Sequence, residues 1–270
     1  MNDSPLVFVG VAPHPPIMVP EVGGSRVAEV RASVDAMRDL TERIKACGAE
    51  TVVLVSPHAP LERGTFVAYG GARLRGDFAN FRAPQAIVEA PVDGELLGAI
   101  RQTAAEENYR VVFLEPQKLD HGTSVPLYFL LRNGWAGRVV ALGYSFLPDE
   151  DHLRFGECVR RAVEAVKRPA AFVASGDLSH RLKQGAPAGF NPDARRFDEQ
   201  VVAALRANAP GQIPRIDEGL RRLAGECGYR SLLVALGAAS AAAPECEVIS
   251  YEAPFGVGYL VAQLSRTSLN

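Results

Sequence analysis

The sequence predicts an α/β protein: a single three-layer α/β/α domain over residues 1–270 with a mostly parallel central sheet. Three observations carry this. Short runs rich in Val, Ile, Leu and Phe alternate with longer stretches whose apolar residues recur at spacings of three and four. Several short runs are apolar at consecutive positions, as in strands covered on both faces. The 270 residues, 47% hydrophobic and 22% charged, show no internal repeat, low-complexity linker or composition shift that would mark a domain boundary.

In chain order the strands are expected at Leu6–Val11, Thr51–Val55, Thr65–Tyr69, Val111–Leu114, Arg138–Leu142, Ala171–Ala174, Cys246–Tyr251 and Gly258–Gln263. The first long helix is Ser25–Cys47, where Val27, Val30, Val34, Met37, Leu40 and Ile44 form one apolar face and Gly48 follows as a helix stop. Asp93–Glu107 and Pro148–Lys167 read the same way. The latter opens on Pro148-Asp149-Glu150-Asp151, acids suited to the positive end of a helix dipole. Asp193–Ala207, Ile216–Cys227 and Ser231–Ala242 complete a helix-rich C-terminal stretch. Residues 57–93, with Pro57, Pro60, Pro84 and Pro91, and residues Gly185–Pro192 read as long loops, a class often functional in compact domains.

The charge balance excludes one class of partner. Lys plus Arg is 29 against 31 Asp plus Glu, a net charge of −2, so no basic face for nucleic acid is expected. The apolar run Leu6–Ala12 is too short to span a bilayer and lacks a basic flank. The four cysteines form no C-x-x-C pair and read as buried thiols of a reduced compartment. A cytoplasmic protein with no membrane partner is expected.

The five histidines are the informative residues. His14 lies in Ala12-Pro13-His14-Pro15-Pro16, His58 in Ser56-Pro57-His58-Ala59-Pro60, His121 in Asp120-His121-Gly122-Thr123, and His180 in Gly176-Asp177-Leu178-Ser179-His180. Each follows the carboxyl end of an expected strand, the edge of an open α/β sheet where ligands bind. The fifth, His152, falls in the first turn of a helix among acids and reads as solvated. Glu252 follows the Cys246–Tyr251 strand and leads into Ala253-Pro254-Phe255-Gly256. Singly, each of these is an ordinary loop histidine, capped turn or surface acid. Two histidines and one carboxylate together make the facial triad of non-haem iron(II) oxygenases, and zinc accepts the same donors.

These motifs, spread from Gly10 to Tyr259, resemble the class III extradiol ring-cleavage dioxygenases, in particular the catalytic (beta) subunit of protocatechuate 4,5-dioxygenase and its relatives. The resemblance implies His14, His58 and Glu252 as iron(II) ligands, His180 as the acid–base residue and His121 as the second active-site histidine. Asp120 and Asp177 are candidates to orient these rings. A small aromatic diol and dioxygen are the implied substrates, and the chain is expected to form homo-oligomers, with or without a small partner subunit. The sequence is also similar to the Memo-like branch, which carries Cys where this chain has Ser179; Ser179 and Glu252 favour the iron site. Two alternatives stay open: a Memo-like metal-binding protein without ring cleavage, and a zinc hydrolase using the same ligands.

Overall fold

The computed structural model describes residues 4–266, so the expected domain extends past it at both ends. The chain runs β1 (Leu6–Ala12), α1 (Pro20–Gly23), α2 (Arg31–Ala46), β2 (Thr51–Ser56), β3 (Phe66–Tyr69), β4 (Arg73–Phe78), β5 (Ala83–Pro91), α3 (Gly94–Glu106) and β6 (Val111–Leu114). It continues α4 (His121–Arg132), β7 (Arg138–Gly143), α5 (Asp149–Val166), β8 (Ala170–Ser175), α6 (Arg195–Arg206), α7 (Glu218–Ala224), α8 (Tyr229–Ala239), β9 (Glu247–Glu252) and β10 (Tyr259–Arg266).

Eight strands form one sheet in the order β6-β3-β7-β2-β8-β1-β10-β9. The central run β7-β2-β8-β1 is parallel throughout, and β3 pairs in parallel with β6. β10 runs antiparallel to both β1 and β9, and β3 antiparallel to β7. The consecutive apolar residues of the central strands have the reason the sequence implied. Val53 and Val55, Val140 and Leu142, and Phe172 and Ala174 enter one core; Val52 and Leu54, Val139 and Ala141, and Ala171 and Val173 enter the other. Helices α3, α5 and α8 cover the first face through Ile100, Phe155, Val159 and Leu232. Helices α2 and α4 cover the second through Val34, Met37, Leu40 and Val125. Each such buried Val, Leu or Phe side chain is worth about 1.5–3 kcal/mol of transfer free energy.

Three elements depart from expectation. Residues 57–93 are not one long loop: β4 and β5 form an antiparallel hairpin, Leu74 opposite Ala90 and Gly76 opposite Val88. Its inward residues include Ala83, Ala86 and Ala90, too small to give a strong period-two signal. Residues His121–Arg132 form a helix where a turn was read, with the Asp120 side chain accepting from Thr123 N–H as its N-cap. The helix expected over Ile216–Cys227 stops at Ala224, because Gly225 adopts φ 63° and turns the chain away.

Candidate metal centre

The parallel run brings three of the predicted histidines together at its carboxyl edge. His14 lies two residues past β1, His58 two past β2, and His121 opens α4. One ring nitrogen from each lies within 4.8 Å of the others. The His58 and His121 rings stack at 4.2 Å, and His14 meets them edge-on at 4.8 and 5.4 Å. His14 is fully enclosed, His121 half-buried and His58 open to solvent, so the group is reached from one side. Phe81, from the turn between β4 and β5, sets its ring 5.4 Å from that of His121.

Hydrogen bonds fix which nitrogen of His14 faces the group. Ser175 Oγ, at the end of β8, donates to the Gly122 carbonyl at 2.5 Å. It therefore accepts from His14 Nδ1 at 3.0 Å, which places the proton on Nδ1 and the lone pair on Nε2. The Gly122 carbonyl is free for this because Pro126, four residues on in α4, has no N–H to bond it. Gly122 itself cannot carry a side chain, since a Cβ there would strike Ser56 Oγ and crowd the His58 ring.

His14 Nε2 and His58 Nε2 stand 3.1 Å apart. Two nitrogens on one cation, at bond lengths of about 2.0–2.1 Å and tetrahedral to right angles, sit about 2.8–3.4 Å apart. The residues present therefore fit a metal ion. Two further donors lie on the same His14 nitrogen: Cys227 Sγ at 3.7 Å and Asp177 Oδ2 at 4.0 Å.

The electrostatics favour the metal-binding protonation state of the imidazoles. Burial, reinforced by the charges of His58, His121 and His180, holds His14 well below the ordinary histidine value. Desolvation, with His121 beside it, lowers His58 to about 4, partly opposed by Asp120. His121 is lowered by desolvation, again opposed by Asp120. Burial raises Asp177 to about 7 against the hydrogen bond it accepts from His14 N–H, and raises the Cys227 thiol well above its usual value. Both groups would surrender a proton to bind a cation.

His180 is in the neighbourhood but outside the three-ring contact. Its Nδ1 meets the Leu178 carbonyl at 3.0 Å, and the Gly225 carbonyl also faces the ring. Burial lowers its pKa, and the positive form of His58 lowers it further. The ring is thus a neutral base at pH 7.

Glu252 is not brought to this group, which corrects its assignment as a ligand. It ends β9, the outermost strand and two strands from β1, so about 10 Å of sheet separates their ends. Its Oε1 accepts from Ser33 N–H at 2.8 Å and Ser33 Oγ at 2.6 Å, in the first turn of α2. Asp177 does hold His14, through the backbone N–H at 3.0 Å. Asp120 bonds no ring: it accepts from Ser56 Oγ, Thr123 N–H, Tyr69 Oη and Thr123 Oγ1. It acts on His58 at one remove, since Ser56 Oγ accepts the His58 N–H.

Cys227 is the site residue that the sequence did not disclose. It follows no strand, and it was read as a core thiol ending a helix. What places it is a backbone contact: Gly176 and Gly228 pack Cα to Cα, too close for a Cβ on either. Asp177 N–H then donates to Cys227 Sγ at 3.4 Å. Ser179, the position compared with a cysteine in Memo-like proteins, is buried, its N–H donating to Asp198 and its Oγ to the Ala224 carbonyl. His152 is not solvated either. It is fully buried between the Pro148 and Ser145 carbonyls, tying the β7–α5 turn.

The chain is an α/β sheet with three imidazoles at its carboxyl edge that could hold a metal ion, and the sequence comparisons place it within one family. Residues 9–262 match the family described as the catalytic LigB subunit of aromatic ring-opening dioxygenase, and the chain belongs to it. Protein CA_C1420 of Clostridium acetobutylicum is 34% identical over 265 residues, which are 95% of this chain and 57% of that protein. The chain thus spans little more than half the length of that relative. The 3,4-dihydroxyphenylacetate 2,3-dioxygenase of Escherichia coli is 22% identical over 196 residues, 69% of this chain and 71% of the enzyme. The crystal structure of the uncharacterized protein JW3007 from Escherichia coli K12 shares the fold, with a TM-score of 0.62 at 19% identity, covering 86% of this chain and 92% of the other. Among the described residues no helix is long and apolar enough to cross a membrane.

Proposed function

We propose that this chain is a metal-dependent oxidoreductase that opens the ring of a catecholic substrate with dioxygen. The observation that carries the reading is the pair of Nε2 atoms 3.1 Å apart, both of neutral imidazoles, in a chain of the ring-opening dioxygenase family. In this reading His14 and His58 hold iron(II), with His121 or Cys227 as the third donor. Iron(II), when bound, supplies the redox chemistry and adjacent coordination positions that let a diol and dioxygen react. His180, kept neutral by burial, takes a proton from the diol as it binds and returns it later. Ser175 keeps the His14 lone pair aimed at the metal, and Phe81 offers an aromatic face beside His121.

Iron(II)-loaded protein, prepared without oxygen, is expected to consume dioxygen when given a catechol and to form a coloured ring-opened product. His180→Ala should retain its metal and lose turnover. Iron-loaded protein that leaves a broad panel of catechols untouched, with no dioxygen uptake, would remove the ring-cleavage reading. A second reading, a zinc site of hydrolytic or binding character, is favoured by one observation, the thiol of Cys227 beside His14, because thiolate donors suit zinc. Zinc at one equivalent in protein purified without added metal, with no dioxygen uptake after iron loading, supports it.

A further inference from the structure

One buried phenol has no partner in the fold. Of the seven tyrosine hydroxyls, those of Tyr69, Tyr109, Tyr128 and Tyr251 bond carboxylates, Tyr229 a backbone carbonyl and Tyr144 the Arg230 guanidinium. Tyr259 is the seventh. It is 4% exposed, and among the described residues nothing bonds its hydroxyl. Glu252 stands directly opposite it on β9 but gives its Oε1 to Ser33. An unbonded buried hydroxyl costs about 1–3 kcal/mol, a penalty that phenylalanine would not carry at this position. Buried tyrosines ordinarily find a partner for the O–H, so the missing one points to a ligand.

Three relations place this side chain at the metal centre. Along the sheet, Tyr259 opens β10, and because β10 is antiparallel to β1 its start lies beside the end of β1, two residues before His14. Along the chain, Gly258 is bonded in both directions to the loop that carries Asp177 and His180. Leu178 N–H donates to the Gly258 carbonyl at 2.8 Å, and Gly258 N–H to the Ser179 carbonyl at 2.9 Å. Across the sheet, Tyr259 shares a core with Ala12 and with Val125 of α4, so it lies on the face from which His121 comes. Burial, then the charges of Asp177 and Glu252, push the phenol well above its usual value. The hydroxyl therefore keeps its proton and is a donor.

We propose that Tyr259 is a ligand-binding residue of the metal centre, its hydroxyl donating a hydrogen bond to an oxygen of the bound diol. The diol rests on the ring-cleavage reading; the donor rests on the placement of Tyr259 and serves any small anion that binds there. Tyr259→Phe removes the hydroxyl alone. The test is calorimetric titration of iron(II)-loaded protein, kept free of oxygen so that nothing turns over, with catechol and with azide as probes. The variant should bind catechol about 2- to 10-fold more weakly, the worth of one hydrogen bond. Its metal content should be unchanged and its unfolding midpoint unchanged or higher, because no bond within the protein is lost.

Equal catechol binding by the variant and the unaltered protein overturns the proposal and leaves the ring-cleavage reading standing. A lowered midpoint, or failure of Tyr259→Phe to fold, overturns it as well, since the hydroxyl then bonds the protein itself. If catechol binds neither protein while azide binds the variant more weakly, the donor stands and the ring-cleavage reading falls. If catechol binds neither and azide shows no such difference, both fall.

Discussion

Single side chains decide what the centre can hold. Ser175 is the clearest case, because its one proton goes to the Gly122 carbonyl and so dictates the tautomer of His14. Ser175→Ala should weaken metal binding about 10- to 100-fold, as loss of a histidine's outer hydrogen-bond partner does elsewhere. Chelator competition measures it, and Ser175→Thr should recover part of the loss. Cys227 and Glu252 give the opposite pair of outcomes to the one the sequence implies. With Cys227 Sγ 3.7 Å from His14 Nε2 and Glu252 bound to Ser33, Cys227→Ala should lower metal affinity while Glu252→Ala leaves it nearly intact. Glu252→Ala should instead destabilise the fold by about 1–3 kcal/mol, having left the Ser33 N–H without its acceptor. Metal affinity and denaturant unfolding of the two variants check both. The histidines were legible because each follows an apolar strand, and a strand end is a local signal. Cys227 was not, because its place depends on two glycine backbones meeting from positions 52 residues apart, 176 and 228.

At the scale of elements, legibility followed the strength of the local pattern. The central strands and the long amphipathic helices could be read because their residues are large, apolar and evenly spaced. Helix α4 could not, because His121-Gly122 and Pro126 weigh against a helix locally, and its stability comes from the Asp120 cap and from burial of nearly every residue from Gly122 to Leu130. Those same disfavoured residues serve the site. Gly122 leaves room for His58, and Pro126 leaves the Gly122 carbonyl to Ser175. Pro126→Ala should therefore separate stability from function. It restores a helical N–H and removes a cost of up to about 3 kcal/mol, so the unfolding midpoint should hold or rise. The new N–H competes with Ser175 for one carbonyl, so metal affinity should fall several-fold. A variant that is both less stable and fully competent for metal would show that Pro126 only packs.

Across the whole molecule, the site sets how stability varies with pH. All five imidazoles are lowered, four in and around the centre and His152 in the β7–α5 turn, each chiefly by burial. The native state then binds fewer protons than the unfolded chain below about pH 6.5, so this contribution is complete above pH 6.5 and is lost on acidification, for His58 down to about pH 4. Buried carboxyls oppose it. Asp177 is raised to about 7 and Asp198 to about 6, both by burial, so the native state keeps protons that the unfolded chain has released. Their contribution is complete below about pH 4 and is lost as pH rises through 6 to 7. Burial raises Glu226 as well; five imidazoles against three carboxyls leave a net fall in the stability of the metal-free protein toward pH 4, which the carboxyls moderate. Asp198 is the one to alter, because it lies away from the imidazoles, bonded to Ser179 N–H and Tyr251 Oη. Asp198→Asn removes a proton-retaining group, so its stability should decline more steeply than that of the unaltered chain between pH 6.5 and 4. A shift of about two pH units sets the difference in that decline at up to about 3 kcal/mol, whatever the constant offset caused by the amide. Urea unfolding at half-unit pH steps gives the two slopes directly. Parallel slopes would mean that Asp198 is ionised throughout and that the fold compensates its charge through Tyr251 and Ser179.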